Sequence, residues 1–204
     1  MITLRKLFGP SKKEMWRQLS TAIGADYVQG GLWKGDKVQA THGEWIITLD
    51  TFAVSTGKVT MVFTRLRAPY VNPGHFRFTI YRRGLFSEIA KWLGMQDIVV
   101  GHEDFDRDFI IKGTDEKGLR ALFDNPRLRE LIAAQPQIHL TVKDDEGFLG
   151  PGFPPDTDEL CFHVGGIIKD VERLKLLFEL FAETLDQLCR IGSAYEGAPK
   201  LKLR

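Results

Sequence analysis

Two groups of side chains in this 204-residue chain could do chemistry, its five histidines and a set of arginines. His42, His75, His102, His139 and His163 show no His-Glu-x-x-His or related ligand spacing. His102-Glu103-Asp104 sets base, acid and metal-ligand types side by side, but neighbours in an extended segment point in opposite directions. His139 and His163 each fall opposite the apolar side of an alternating strand pattern. If those strands pair, the two imidazoles share one polar sheet face with Cys161, which has the parity of His163. An enzyme with a histidine-carboxylate site would draw on His102, His139 and His163. The arginines offer a different chemistry. Arg65, Arg67, His75, Arg77, Arg82 and Arg83 gather at one edge or face if the strands around Met61 and Phe78 are neighbours. Arg77 and Tyr81 share a face opposite Phe76, Phe78 and Ile80, a pairing suited to an anion or a stacked base. Arg65, Arg67, Arg77 and Tyr81 are therefore the candidate ligand-binding residues, for a small anionic ligand or nucleic acid.

Other chemistry is excluded by what the spacing lacks. Asp104, Asp106 and Asp108 stand as the first three side-chain ligands of a calcium loop, which needs glycine sixth and glutamate twelfth. Those places hold Phe109 and Asp115, so a solvated acidic turn is expected. Cys161 and Cys189 form no Cys-x-x-Cys pair, which argues against a zinc site or a redox dithiol and for reduced thiols in the cytoplasm. Gly150-Pro151-Gly152 lacks the Lys-Ser/Thr ending of a phosphate loop, and proline removes backbone donors. No nucleophile elbow and no dinucleotide fingerprint occurs. No catalytic residue, metal or cofactor is expected.

The elements that must position these residues follow from periodicity. Ser11-Lys12-Lys13-Glu14 is a capping box opening a helix with Met15, Leu19, Ala22 and Ile23 on one stripe, ending near Gly24. Short strands are expected at 30–33, 36–40, 45–49, 59–64 and 76–81, with tight turns at Lys34-Gly35 and Ser55-Thr56-Gly57. A short helix at 87–93, an apolar run at 98–100 and an extended segment carrying Phe105, Phe109 and Ile111 to Gly113 come next. Thr114 caps a helix through Leu119, Leu122 and Phe123. Asn125-Pro126 opens another, with proline in the first turn. Strands at 138–142 and 160–164 flank a turn at 144–147 and a loop at 150–155. The last helix, 170–191, is the strongest pattern in the chain. Val171, Leu174, Phe178, Phe181, Leu185 and Leu188 form its seam, and Leu176, Leu177 and Leu180 widen it. Asp170 serves as N-cap and Gly192 as stop. Consecutive strands with short turns predict an α+β fold, mainly antiparallel sheet with packed helices and a long amphipathic C-terminal helix.

Several segments together resemble an uncharacterised family of bacterial proteins, a domain of unknown function. They are 30–37, 45–51, Thr64-Arg65-Leu66-Arg67-Ala68-Pro69, 105–113 and Ile168-Lys169-Asp170-Val171-Glu172-Arg173-Leu174. The resemblance implies a cytoplasmic bacterial protein and brings no activity or catalytic residues.

Composition sets the remaining bounds. The net charge of +1, with 43% hydrophobic and 27% charged residues, fits one globular domain over 1–204. The charge is split: 14 Lys and Arg face 7 Asp and Glu in residues 1–100, and 14 face 20 in 101–204. The expected lobes are basic and sheet-rich (1–95) and acidic and mixed (96–204). Complementarity within the molecule is the default use of such a split. A near-neutral chain is a poor nucleic-acid binder. No run is long enough to span a membrane, and residues 1–8 reach Gly9-Pro10 too soon for a secretory core, so a frayed terminus is expected. The apolar terminal helix needs covering by this chain or by a second copy. The reading with most behind it is a non-enzymatic cytoplasmic protein acting through protein–protein contact, a homo-oligomer through that helix.

Overall fold

The computed structural model describes residues 10–31, 35–55, 57–84, 97–144, 153–194 and 197. Among these, the alternating strands line up as one eight-stranded sheet with every pair antiparallel. The strands are β1 (Asp26–Val28), β2 (Lys37–His42), β3 (Trp45–Ser55), β4 (Thr60–Val71), β5 (Phe78–Arg82), β6 (Phe109–Gly113), β7 (His139–Lys143) and β8 (Thr157–Gly165). Their order is β1-β2-β3-β4-β8-β7-β5-β6. Five helices accompany them: α1 (Lys12–Ile23), α2 (Glu103–Asp108), α3 (Glu116–Phe123), α4 (Pro126–Ala133) and α5 (Val171–Arg190). The α+β class read from the sequence is the observed one.

Register explains why the sheet has two unlike faces. Val38, Leu49, Leu66, Phe162, Leu140, Ile80 and Ile111 stand side by side across seven strands, all at 1% exposure or less. Side chains alternate along a strand, so the row one residue away faces the other side. That row is Gln39, Thr48, Arg67, Cys161, Thr141, Thr79 and Lys112. The apolar row belongs to the same core as α1, α3, α4 and α5. In α5, Leu174, Leu177, Phe178, Leu180, Phe181, Leu185 and Leu188 are all buried, and Leu176 is half-buried. Its exposed positions are Glu172, Glu179 and Arg190. The chain itself covers this helix.

The helix ends obey local chemistry. Ser11 and Glu14 form the reciprocal capping box, with the Glu14 N–H donating to Ser11 Oγ at 3.2 Å and the Ser11 N–H donating to Glu14 Oε2 at 2.9 Å. Gly24 closes α1 at φ +65°, a conformation that costs glycine little. Asn125 accepts from the Leu128 N–H, and Asp170 from the Arg173 N–H.

Other expectations are corrected. No strand covers 30 and 31; the first strand is 26–28, and Asp36 Oδ1 holds the Gly30 N–H at 3.0 Å in a loop. Phe105 is helical because Asp106 accepts the N–H groups of Val100, Gly101 and His102, turning the chain into α2. Thr114 does not cap α3. Asp115 is the N-cap, and Thr114 Oγ1 accepts from the Arg77 N–H at 3.2 Å. One sheet joins strands from both sides of residue 95, with β5 between β7 and β6. Residues 1–8, Leu32 to Lys34, Thr56, the expected helix at 87–93, residues 145–147 of one turn and 150–152 of one loop lie outside the described residues.

Candidate functional site

The second face of the sheet concentrates the charged and titratable side chains of its central strands. Asp50 on β3, Arg65 and Arg67 on β4, Glu159, Cys161 and His163 on β8, and His139 and Lys143 on β7 all have the same parity. Asp50 lies opposite Arg65, Arg65 opposite His163, Arg67 opposite Cys161, and Lys143 opposite Glu159. The strand register alone brings these groups together.

Asp50 organises the cations. Arg65 grips it with two bonds, Nε to Oδ1 at 2.9 Å and Nη2 to Oδ2 at 3.0 Å, and Arg67 Nη2 adds a third to Oδ2 at 2.7 Å. Arg67 is buried at 2% side-chain exposure, while Arg65 keeps 16%. Arg65 Nη1 has no hydrogen-bond partner among the described residues, so part of its guanidinium remains for a ligand. Glu159 sits at 0% exposure, with Lys143 Nζ 3.5 Å from Oε1 and Arg67 Nη1 3.9 Å from Oε2. Neither distance is that of a short charge-assisted bond, and neither carboxylate oxygen has a hydrogen-bond partner. Burial pushes the Glu159 carboxyl above its usual range, with Lys143 and Arg67 opposing.

The two histidines meet at the centre. Their Nδ1 atoms are 3.4 Å apart and their rings pack edge to face at 4.5 Å. The other ring nitrogen of His139 lies 3.3 Å from Thr79 Oγ1. Burial, then His163 and Lys143, hold His139 down to about 3; burial, then Lys143 and Arg65, hold His163 down to about 4. Both imidazoles are therefore neutral at pH 7. Cys161 beside them is pushed up to about 12, first by burial and then by Glu159, so it is a thiol rather than a nucleophile. On the other side, His163 packs edge-on against Phe52 and Phe63, which stack on each other at 5.1 Å. The Arg65 guanidinium lies 4.8 Å over the Phe52 ring.

The four candidate ligand residues do not form one cluster. β8 and β7 stand between β4 and β5, so the strands of Met61 and Phe78 are not neighbours. Arg65 and Arg67 stay together, but Arg77 is bound to Asp158 at 3.2 Å and Asp144 at 2.9 Å. Tyr81 is buried, 6.4 Å from His139 between ring centres. The basic N-terminal half thus meets the acidic half inside the molecule: Arg67 with Glu159, Arg77 with Asp158, His42 with Asp186.

His102 is elsewhere, in a groove of about 490 Å³ between α2 and α4 that Glu103, Asp104, Asp108 and Glu130 also line. Its Nε2 lies 2.9 Å from Arg129 Nη1. The three aspartates are committed: Asp106 to backbone N–H groups, Asp104 and Asp108 to Arg107. No group of three or more His, Cys, Asp or Glu fit to hold a metal ion occurs among the described residues. Sequence reasoning missed Asp50, Lys143, Glu159, Phe52 and Phe63. A signal existed for Glu159, a carboxylate at the mouth of an apolar strand.

The described helices include none long and apolar enough to cross a membrane. No protein-family profile, no curated protein and no solved structure matches the chain, and what the structure shows is an α+β fold.

Proposed function

We propose that the protein binds a small anion on the polar face of its sheet, at Arg65, Lys143 and His163. One observation carries this reading. Among the described residues, three cations (Arg65, Arg67 and Lys143) crowd two carboxylates (Asp50 and Glu159) beside two neutral imidazoles, an excess of positive charge in a largely dry setting. An anion balances it, and burial strengthens the attraction over its value in water. Arg67, Asp50 and Glu159 form the fixed floor, and the partly exposed Arg65, Lys143 and His163 form the rim. Because the arginines are tied to carboxylates, they are badly placed to track a nucleic-acid backbone. The neighbouring cations also oppose a metal ion at the histidine pair.

The test is calorimetric titration of acetate and inorganic phosphate into the protein and into Arg65→Gln/Lys143→Gln. A salt-sensitive signal that weakens at least about tenfold in the variant supports the reading. No signal, or the same affinity in both proteins, overturns it.

Contact with another protein is a second reading. Val54, Val59, Met61 and Val62 are 40–58% exposed at the end of the β3–β4 hairpin, whereas the terminal helix has little apolar surface to offer a partner. A homo-oligomer would then use the hairpin. Sedimentation across micromolar concentrations tests it, and a monomer throughout dismisses self-association. A cytoplasmic setting suits Cys161 and Cys189, which form no disulfide with each other.

A further inference from the structure

The polar face changes character along β3 and β4. Asp50 lies opposite Arg65, Phe52 opposite Phe63 and Val54 opposite Met61, and all six side chains have the parity of that face. Each step of two residues advances about 6.6–6.8 Å, so the run from ion pair to aliphatic pair spans about 13 Å. Exposure rises along it. Arg65 is 16% exposed, Phe52 and Phe63 are half-buried, and Val54 and Met61 reach 40% and 48%. The surface offers in sequence a cation, an aromatic shelf and an aliphatic end.

We infer that the anion is amphiphilic: a single carboxylate head on a hydrocarbon body, the head at Arg65 and His163 and the body along Phe52, Phe63, Val54 and Met61. The inference rests on the anion-binding reading and extends it. Charge complementarity selects the head, because Arg65 Nη1 remains without a partner and Lys143 lies on the same face. Contiguity selects the body. Phe52 and Phe63 contact the charged end, through Arg65 over Phe52 and His163 against both rings, and the aliphatic pair is the next one on the same face. A bare anion would leave the exposed Val54 and Met61 facing water, whereas a hydrocarbon body covers them. Among the described residues the cluster holds three cations against two carboxylates, which matches a head of one charge.

Decanoate, kept below its micelle concentration, is the probe, with acetate and decanol as head-only and tail-only controls. Decanoate is expected to bind at least about tenfold tighter than acetate, the effect of burying two or more methylene groups. Decanol binds more weakly than decanoate. Val54→Ser/Met61→Ser, at exposed positions whose change spares the core, weakens decanoate at least about threefold and leaves acetate unchanged, the Phe52–Phe63 shelf keeping the rest of the gain; unchanged decanoate affinity overturns the inference. If acetate binds and decanoate binds no tighter, the amphiphile is overturned while the anion site stands. If neither binds, the anion site itself is wrong. Co-flotation with phosphatidylglycerol vesicles without decanoate binding overturns the inference in favour of a membrane surface. Self-association abolished by the same serine pair, without decanoate binding, overturns it in favour of a second copy.

Discussion

One residue along each strand separates two opposite ways of closing a sheet. The row from Val38 to Ile111 excludes water with seven apolar side chains, and any of them can be replaced by a similar shape at modest cost. The row from Gln39 to Lys112, with Asp50, Glu159 and the histidines around it, is polar, and Arg67, Asp50 and Glu159 are buried there through ion pairs. Such a layer is held by mutual dependence: taking out one charge strands its partner, while taking out a matched pair does little harm. The apolar face therefore specifies volume, and the polar face specifies identity.

Substitutions break or sharpen that contrast. On the apolar face, Phe162→Ala should cost about 3–5 kcal/mol by loss of transfer energy and the cavity left behind. Phe162→Leu should recover most of it, read from urea midpoints. On the polar face, Arg67→Met should also cost about 3–5 kcal/mol, because Asp50 loses its shortest bond. Here a similar volume gives no rescue, and adding Asp50→Leu should recover only part of the loss, because Arg65 and Glu159 also lose a partner. If Arg67→Met alone is harmless, the contrast between the faces fails.

Acid should separate them further. In the unfolded chain the imidazoles of His139 and His163 titrate near 6.5, and in the folded protein only at about 3 and about 4. Between pH 6.5 and 4 the unfolded chain binds protons that the folded one refuses, so stability falls as pH drops. The loss should be about 3 kcal/mol for each histidine over that window, about 5–6 kcal/mol together, and His139→Leu/His163→Phe should flatten it. Urea melts at pH 4, 5, 6 and 7 decide the matter; equal slopes for both proteins would mean the histidines are not buried neutral. The smallest effects belong to the exposed surface. Asn125→Ala should remove about 1 kcal/mol by uncapping α4. Arg127→Ala should leave the melting midpoint where it was, since its pair with Glu179 is half-exposed on both sides.

What was legible in the sequence follows the same division. Periodicity located α5 and its cap, the capping box of α1, Asn125 before α4 and the alternation of β7 and β8, because burial of apolar surface repeats along one element. The polar face also showed in part: His139 and His163 were assigned to one side of their strands, with Cys161, on the condition that those strands pair. Their pairing is long-range information, and so is the insertion of β8 and β7 between β4 and β5. That insertion is why Arg77 and Tyr81 left the expected arginine cluster. Glu159 escaped because its strand begins at Thr157, three residues before the first clear apolar position. Phe105 reads as extended by its apolar spacing with Phe109 and Ile111, and only the local bonds of Asp106 make it helical.

The place of β8 has a consequence for biosynthesis. The meander β1 to β4 is complete once residue 71 has emerged, and β5, β6 and β7 can join as a second ribbon by residue 143. Nothing couples the two ribbons edge to edge until residues 157–165 slide between them. A ribosome-bound chain arrested before that point exposes the open margins of β4 and β7, templates for adventitious strand addition. The late strand thus acts as a keystone, and the charged face of the sheet is complete only at its arrival.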